Sequence, residues 1–136
     1  SPDSGFFALL QRQFTQLLVL LPGETNAPGT DTGIIGTPTE LSLSGSGGLE
    51  PVTVMAVDKT FHPVSGVLDT ISLTSTDTGP VGGISNGNVA MVNGVASFTG
   101  PTSYGFGDEG LWTITATDTT STNIAPATSS PVTVGP

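Results

Sequence analysis

Apolar and small polar residues alternate with a period of two along much of this chain, the pattern of strands that keep one face on a core. The clearest case is Val52 to Asp77, VTVMAVDKTFHPVSGVLDTISLTSTD, which reads as two half-buried strands around a turn-forming middle. In the first strand Val52, Val54 and Ala56 share one face and Thr53, Met55 and Val57 the other; in the second, Ile71, Leu73 and Ser75 oppose Ser72, Thr74 and Thr76. Leu111 to Asp118 alternates as cleanly, with Trp112, Ile114 and Ala116 against Thr113, Thr115 and Thr117. That pattern puts Trp112 at the centre of the core. Asn88 to Val92 and Val95 to Thr99 read as a hairpin about Asn93-Gly94, a strong short turn signal, with Ala96 and Phe98 facing inward. Val132 and Val134 make a last strand. The expected core is therefore Val52, Val54, Ala56, Ile71, Leu73, Phe98, Trp112, Ile114 and Val134. The echo of AVD at Ala56 to Asp58 in ATD at Ala116 to Asp118 predicts two equivalent strands ending at one pole of the fold.

The beginning of the chain carries two competing patterns. Phe7, Leu10, Phe14, Leu17 and Leu21 are spaced by threes and fours, as on a helix, whereas Leu17, Val19 and Leu21 alternate as a strand does. A strand from Phe14 to Leu21 is favoured, preceded by a short helix or a strand extension. Residues 1–13 form an N-terminal extension or linker and 14–136 the domain. The extension holds Phe6, Phe7, Leu9 and Leu10, an apolar set that needs covering, by its own domain or by a neighbour. Pro22-Gly23-Glu24 ends the first strand. Loops then dominate from Thr25 to Gly48, with Gly33-Ile34-Ile35-Gly36 and Leu41 with Leu43 as short edge strands. Gly45-Ser46-Gly47-Gly48 is a turn and not an anion cradle, because neither a helix start nor Lys-Ser/Thr follows it.

Composition narrows the class. A chain of 136 residues suits one domain that buries about two-thirds of its unfolded surface. Its 22 Thr, 14 Ser and 19 Gly stand against two basic residues, Arg12 and Lys59, a balance that favours strands and turns over surface helices. The formal charge of −9 repels phosphate backbones and anionic lipid, which argues against nucleic acid and membrane partners. With no cysteine, disulfide and thiolate chemistry are excluded. The apolar stretch Phe6 to Leu21 is broken at Gln11-Arg12-Gln13, short of the ~20 apolar residues that a membrane span needs. No basic leader precedes it, so an export signal is expected to have been removed or to lie outside this chain. No Asn-x-Ser/Thr triplet occurs, while O-linked sugar on the threonine-rich faces stays open.

Taken in order, LPGETNAPGT with a following GTP, then VTVMAVD, DTISLTSTD, MVNGVASF, LWTITATD and a terminal PVTV resemble the bacterial immunoglobulin-like repeats of large secreted and cell-surface proteins. The resemblance spans about Phe14 to Val134. It implies an immunoglobulin-like antiparallel β-sandwich of seven or eight strands and a spacer, adhesive or assembly role, with no catalytic residues to carry over. The glycine-rich Ser42 to Gly48 and the apolar extension depart from its pattern.

The search for chemistry yields little. His62, the single histidine, sits between Phe61 and Pro63 with no second ligand at metal spacing. Asp108 and Glu109 are adjacent, and on an extended chain their side chains point opposite ways. Asp58, Asp77 and Asp118 close strands; gathered at one pole with Glu50 or Asp69 they could hold calcium, but strand-end aspartate is commonly a turn residue, and metal is expected to contribute little. The chain is therefore expected to be a non-enzyme without cofactor or metal. It is read as an extracellular or cell-surface structural module that joins copies or neighbouring repeats head to tail through Phe6, Phe7, Leu9 and Leu10. The alternative is an adhesin or carbohydrate-binding module, for which Trp112, Tyr104, Phe106 and Phe61 are the available aromatic platforms. The chain's ends carry the same expectation: an apolar extension opens it, and it stops two residues after the last strand.

Overall fold

The structure is a computed structural model that describes residues 13–42, 48–49, 51–76, 83–84, 88–99, 104–105 and 108–136, with only the backbone of 48–49, 83–84 and 104–105. It is all-β, and no helix occurs among the described residues. The first strands are β1 (Gln16–Leu20), β2 (Glu24–Asn26), β3 (Ile34–Gly36), β4 (Leu41–Ser42) and β5 (Gly48–Leu49). The middle of the chain supplies β6 (Val52–Val57), β7 (Thr70–Ser75), β8 (Gly83–Ile84), β9 (Asn88–Ala90) and β10 (Val95–Phe98). There follow β11 (Tyr104–Gly105), β12 (Gly110–Trp112), β13 (Ile114–Asp118), β14 (Ala127–Thr128) and β15 (Val132–Gly135).

Two ladders carry most of the molecule. One has the order β1-β6-β10 and the other β14-β13-β7-β9, both antiparallel throughout. A single apolar cluster takes Leu17 and Val19 from β1, Val52, Val54 and Ala56 from β6, and Phe98 from β10, together with Ile71, Leu73, Ile114 and Ala116 of the other ladder. The two ladders thus share one core in a β-sandwich-like arrangement. Smaller ladders, β12-β15-β4, β5-β11-β8 and β2-β3, complete it; β15 and β4 run parallel, Val134 beside Leu41.

The alternation in Val52–Val57 and Thr70–Ser75 appears as expected, with Val52, Val54, Ala56, Ile71 and Leu73 inside. β1 behaves differently. Leu17, Leu18, Val19, Leu20 and Leu21 are all buried, because both faces of this strand are covered. Leu17, Val19 and Leu21 enter the main core, and Leu18 and Leu20 join Val57 in a second cluster under Ile34, Met55 and Phe61. An unbroken apolar run is what two-sided burial requires, and the same run can be mistaken for a helix face.

Two expectations need correction, for one reason: continuous strand-like runs cross from one sheet to another. Leu111 to Asp118 is divided at Thr113, where β12 pairs with β15 and β13 pairs with β7. The crossing is held by the Thr76 amide donating to the Thr113 carbonyl and the Thr113 amide donating to the Thr76 hydroxyl. Trp112 lies before it, only half-buried, with its indole Nε1 donating to the Asp108 carbonyl at 3.0 Å. The centre of the core is Phe98, the largest fully buried side chain, and not Trp112. The hairpin about Asn93-Gly94 is likewise reduced to one rung, Val92 with Val95, before β9 pairs with β7 and β10 with β6. The turn itself is present, with φ of 51° at Asn93 and 79° at Gly94. The Gly94 carbonyl accepts from Ala56 and its amide donates to Val67, so this corner also fixes the connection between β6 and β7.

Phe98→Ala should cost about 3–5 kcal/mol as a cavity in the shared core, and Trp112→Ala roughly 1–3 kcal/mol, since less area returns to water. Urea unfolding of both variants checks this; an equal or larger loss at Trp112 would contradict the placement of the core.

Candidate functional site

The LPGE segment, Leu21 to Glu24, makes a tight turn with Pro22 and Gly23 in the middle, Gly23 at φ 99° and the Glu24 amide donating to the Leu21 carbonyl at 3.0 Å. Glu24 closes it from the side chain: Oε1 accepts the Leu21 amide at 2.9 Å, and Oε2 accepts the Ser130 hydroxyl at 2.7 Å. Ala27-Pro28-Gly29-Thr30 repeats the device, with Gly29 at φ 81° and Thr30 bonded back to the Ala27 carbonyl. These turns lay the β2-β3 hairpin near the outer face of β1, where Ile34 packs on Leu18 and Leu20.

A third turn, Asp58 to His62, locks the hairpin in place. Asp58 Oδ1 accepts the amides of Thr60 and His62 and the Thr60 hydroxyl, each at 2.9 Å. The turn forces Phe61 to a positive φ of 69° and sets its ring against Gly33, where a Cβ would lie 2.3 Å from the ring. Asn26 Nδ2 donates to the Phe61 carbonyl at 3.0 Å, and the Gly29 amide donates to the Thr60 carbonyl at 2.8 Å.

Between this lid and the segment that follows β14 lies a groove of about 350 Å³. Leu18, Ile34 and Phe61 give it apolar walls, and Thr32, Thr128 and Ser130 bring hydroxyls. It runs along β1, the edge strand of its ladder, and beside β14, the edge strand of the other. A space of this size takes two or three side chains or a short run of sugar.

The residues singled out from sequence are distributed unevenly. Phe6, Phe7, Leu9 and Leu10 lie outside the described residues, as do Phe106, Glu50 and Asp77. Tyr104 is described only as backbone, paired with Leu49 and Ile84. Among the described side chains Phe61 is the proposed aromatic platform that lines the groove, and Trp112 lies elsewhere, among the residues packed against the main core. His62 is absorbed into the Asp58 turn, its Nδ1 2.8 Å from the Thr60 hydroxyl. Among the described residues no group of three or more His, Asp or Glu side chains is gathered as for a metal ion, and no helix is long and apolar enough to cross a membrane.

The AVD and ATD echo has a local meaning. Both strands are interior to their ladders, in different ladders, and each ends on an aspartate whose Oδ1 caps the next turn, Asp118 by accepting the amides of Thr120 and Ser121 at 2.8 Å. They differ in depth. Asp118 is 2 % exposed, and burial, followed by the neighbouring Asp69 carboxyl, pushes its carboxyl above the usual range. The groove was not foreseen; the apolar run of β1 and the paired Pro-Gly turns were its available signals.

Comparison of the chain with protein-family models, with curated proteins and with solved structures finds no match.

Removing the Asp58 cap should loosen the wall that Phe61 provides. Asp58→Ala is expected to cost about 1–3 kcal/mol, since amides lose their acceptor, and Asp58→Asn, which retains a carbonyl oxygen, under about 1 kcal/mol. Thermal unfolding of the two variants checks the difference; equal losses would mean that the carboxylate charge, and not the turn, is what matters.

Proposed function

We propose that this chain is a non-catalytic extracellular or cell-surface structural module of immunoglobulin-like form, a subunit that joins copies of itself head to tail through its N-terminal extension. The stacking of β1-β6-β10 on β14-β13-β7-β9, with runs that cross between sheets, supports the immunoglobulin-like arrangement. The acidic, cysteine-free, threonine-rich composition supports the location. The observation that carries the assembly role is the groove along the edge of β1, which offers apolar walls to side chains such as Phe6, Phe7, Leu9 and Leu10 of another copy. Such a contact joins two different surfaces, and it propagates as a filament unless it closes into a ring. The groove has room for two or three of these side chains, each of which would contribute roughly 1.5–3 kcal/mol on burial, before the entropy of ordering the extension is subtracted.

A second reading, an adhesin or carbohydrate-binding module, draws on the same groove, because an aromatic wall at Phe61 with hydroxyls at Thr32, Thr128 and Ser130 also suits a neutral sugar.

Sedimentation of three proteins separates these readings: the intact chain, a chain lacking residues 1–13, and Thr128→Trp, which fills the groove from an exposed position. Assembly is expected for the intact chain alone, with both variants folded and monomeric. Unchanged oligomers in either variant, or an intact chain that stays monomeric at high concentration, would sink the assembly role. Binding of a neutral oligosaccharide that Thr128→Trp abolishes would then favour the second reading.

A further inference from the structure

Asp118 closes β13 where a carboxylate is unfavourable. The residue is 2 % exposed, its Oδ1 takes both amide donors of the following turn, and its Oδ2 is buried with no hydrogen-bond partner. A charged oxygen taken out of water without a donor loses its solvation and gains nothing in exchange. The group beside it is another acid. Asp69, the last residue before β7, stands within hydrogen-bonding reach of the Asp118 side chain and accepts the Ser121 hydroxyl on Oδ2 at 2.6 Å. Among the described residues no basic side chain acts on Asp118. β7 contributes Thr70 and Ile71, the turn contributes Thr119, Thr120 and Ser121, and Asp69 is the charged group that acts on Asp118.

We infer that Asp69 and Asp118 form a proton-binding site, in which one shared proton satisfies the buried oxygen and fastens the connection between β6 and β7 to the end of β13. The proton resides on Asp118 Oδ2, which becomes a donor to the Asp69 carboxylate, while Ser121 continues to donate to Asp69 from its other side. Two segments distant in sequence are joined in this way. The Asp69 carbonyl also accepts the Met91 amide, and the Thr119 amide donates to the Thr70 carbonyl, so the pair sits at a junction of the start of β7, the end of β9 and the turn after β13.

The sign of the pH dependence follows. The folded state holds the Asp118 proton at a pH where the unfolded chain has released it, so the folded state binds more protons in that interval. The stabilisation is fully present below the ordinary aspartate value of the unfolded chain and is lost as pH rises from there through the raised folded value. This device stands apart from the assembly role and would operate in a monomer.

Asp118→Asn tests it, because the amide keeps the Oδ1 acceptor and places an N–H where the proton is held. Melting temperatures of the parent and of Asp118→Asn, both as the full chain, are compared between pH 4 and 8 at fixed salt. The expected result is a variant within a degree or two of the parent at acid pH and higher by several degrees at pH 8, on the scale that about one lost interaction moves the melting point of a domain this size. Parallel profiles, or a variant destabilised equally at both ends, would overturn the proposal. Should Asp118→Asn fail to fold, the carboxyl carbon resonance of Asp118 in the parent decides: titration above the ordinary aspartate range supports a held proton, and titration within it overturns one. Calcium chloride that stabilises the parent at pH 7 but not Asp118→Asn would show a cation in the proton's place and would also overturn it.

Discussion

Leu17 to Leu21 is buried on both faces, and that demand for cover shapes much of what surrounds it. The inward side chains find the core shared by the two main ladders. The outward ones, Leu18 and Leu20, with Val57 from the adjacent strand, need a second layer, and leaving each in water would forgo roughly 1.5–3 kcal/mol. The chain supplies that layer at once, by turning at Pro22-Gly23 and sending β2 and β3 back towards the exposed side. A lid of two three-residue strands has little stability of its own. It is held by Asn26 and Gly29 to the Asp58 turn and, from the neighbouring strand end, by Glu24 to Ser130 across 106 residues. The groove is what remains where the lid stops short of the second ladder's edge. Cover for one strand and a groove beside it are thus two results of the same packing problem.

Period-two alternation was a dependable guide to which side chains face inward, because a strand's geometry imposes it regardless of partner. Val52, Val54, Ala56, Ile71, Leu73, Ile114 and Ala116 could be placed from it alone. It is silent on which ladder a strand joins. A run that crosses at Thr113 keeps its alternation while changing neighbours, so Trp112 shares a sequence face with Ile114 without sharing its depth. The same blindness turned one rung between Val92 and Val95 into an expected hairpin. In β1 both faces are apolar, so a helical spacing could be read beside the strand alternation of Leu17, Val19 and Leu21, although the strand was the favoured reading.

For the candidate sites, legibility followed sequence distance. The cap at Asp58 reaches two to four residues, and the cap at Asp118 two or three, within what turn chemistry predicts for aspartate at a strand end. The groove assembles Leu18, Ile34, Phe61 and Thr128 from four elements, and no local pattern brings them together. Asp69 and Asp118 were recognisable as acids near strand ends. Their juxtaposition depends on the route of the β6 to β7 connection, which Gly94 fixes from a third segment through the Val67 carbonyl.

Hydroxyls do in this chain much of the work that ion pairs do in others. With two basic side chains against 11 acids, most acids must look to neutral donors, and three find hydroxyls: Thr60 serves Asp58, Ser121 serves Asp69 and Ser130 serves Glu24. Threonine pairs also bridge strands, as Thr115 with Thr128 at 3.1 Å. A hydroxyl satisfies a carboxylate without neutralising it, so these pairings leave the formal net charge of −9 undiminished. Copies of such a module repel one another over about a Debye length, ~8 Å at physiological salt. Any attraction between copies, as the proposed assembly requires, would have to act within contact distance and through uncharged groups, and an apolar-walled groove rimmed by Thr32, Thr128 and Ser130 meets that condition where a charged patch would not.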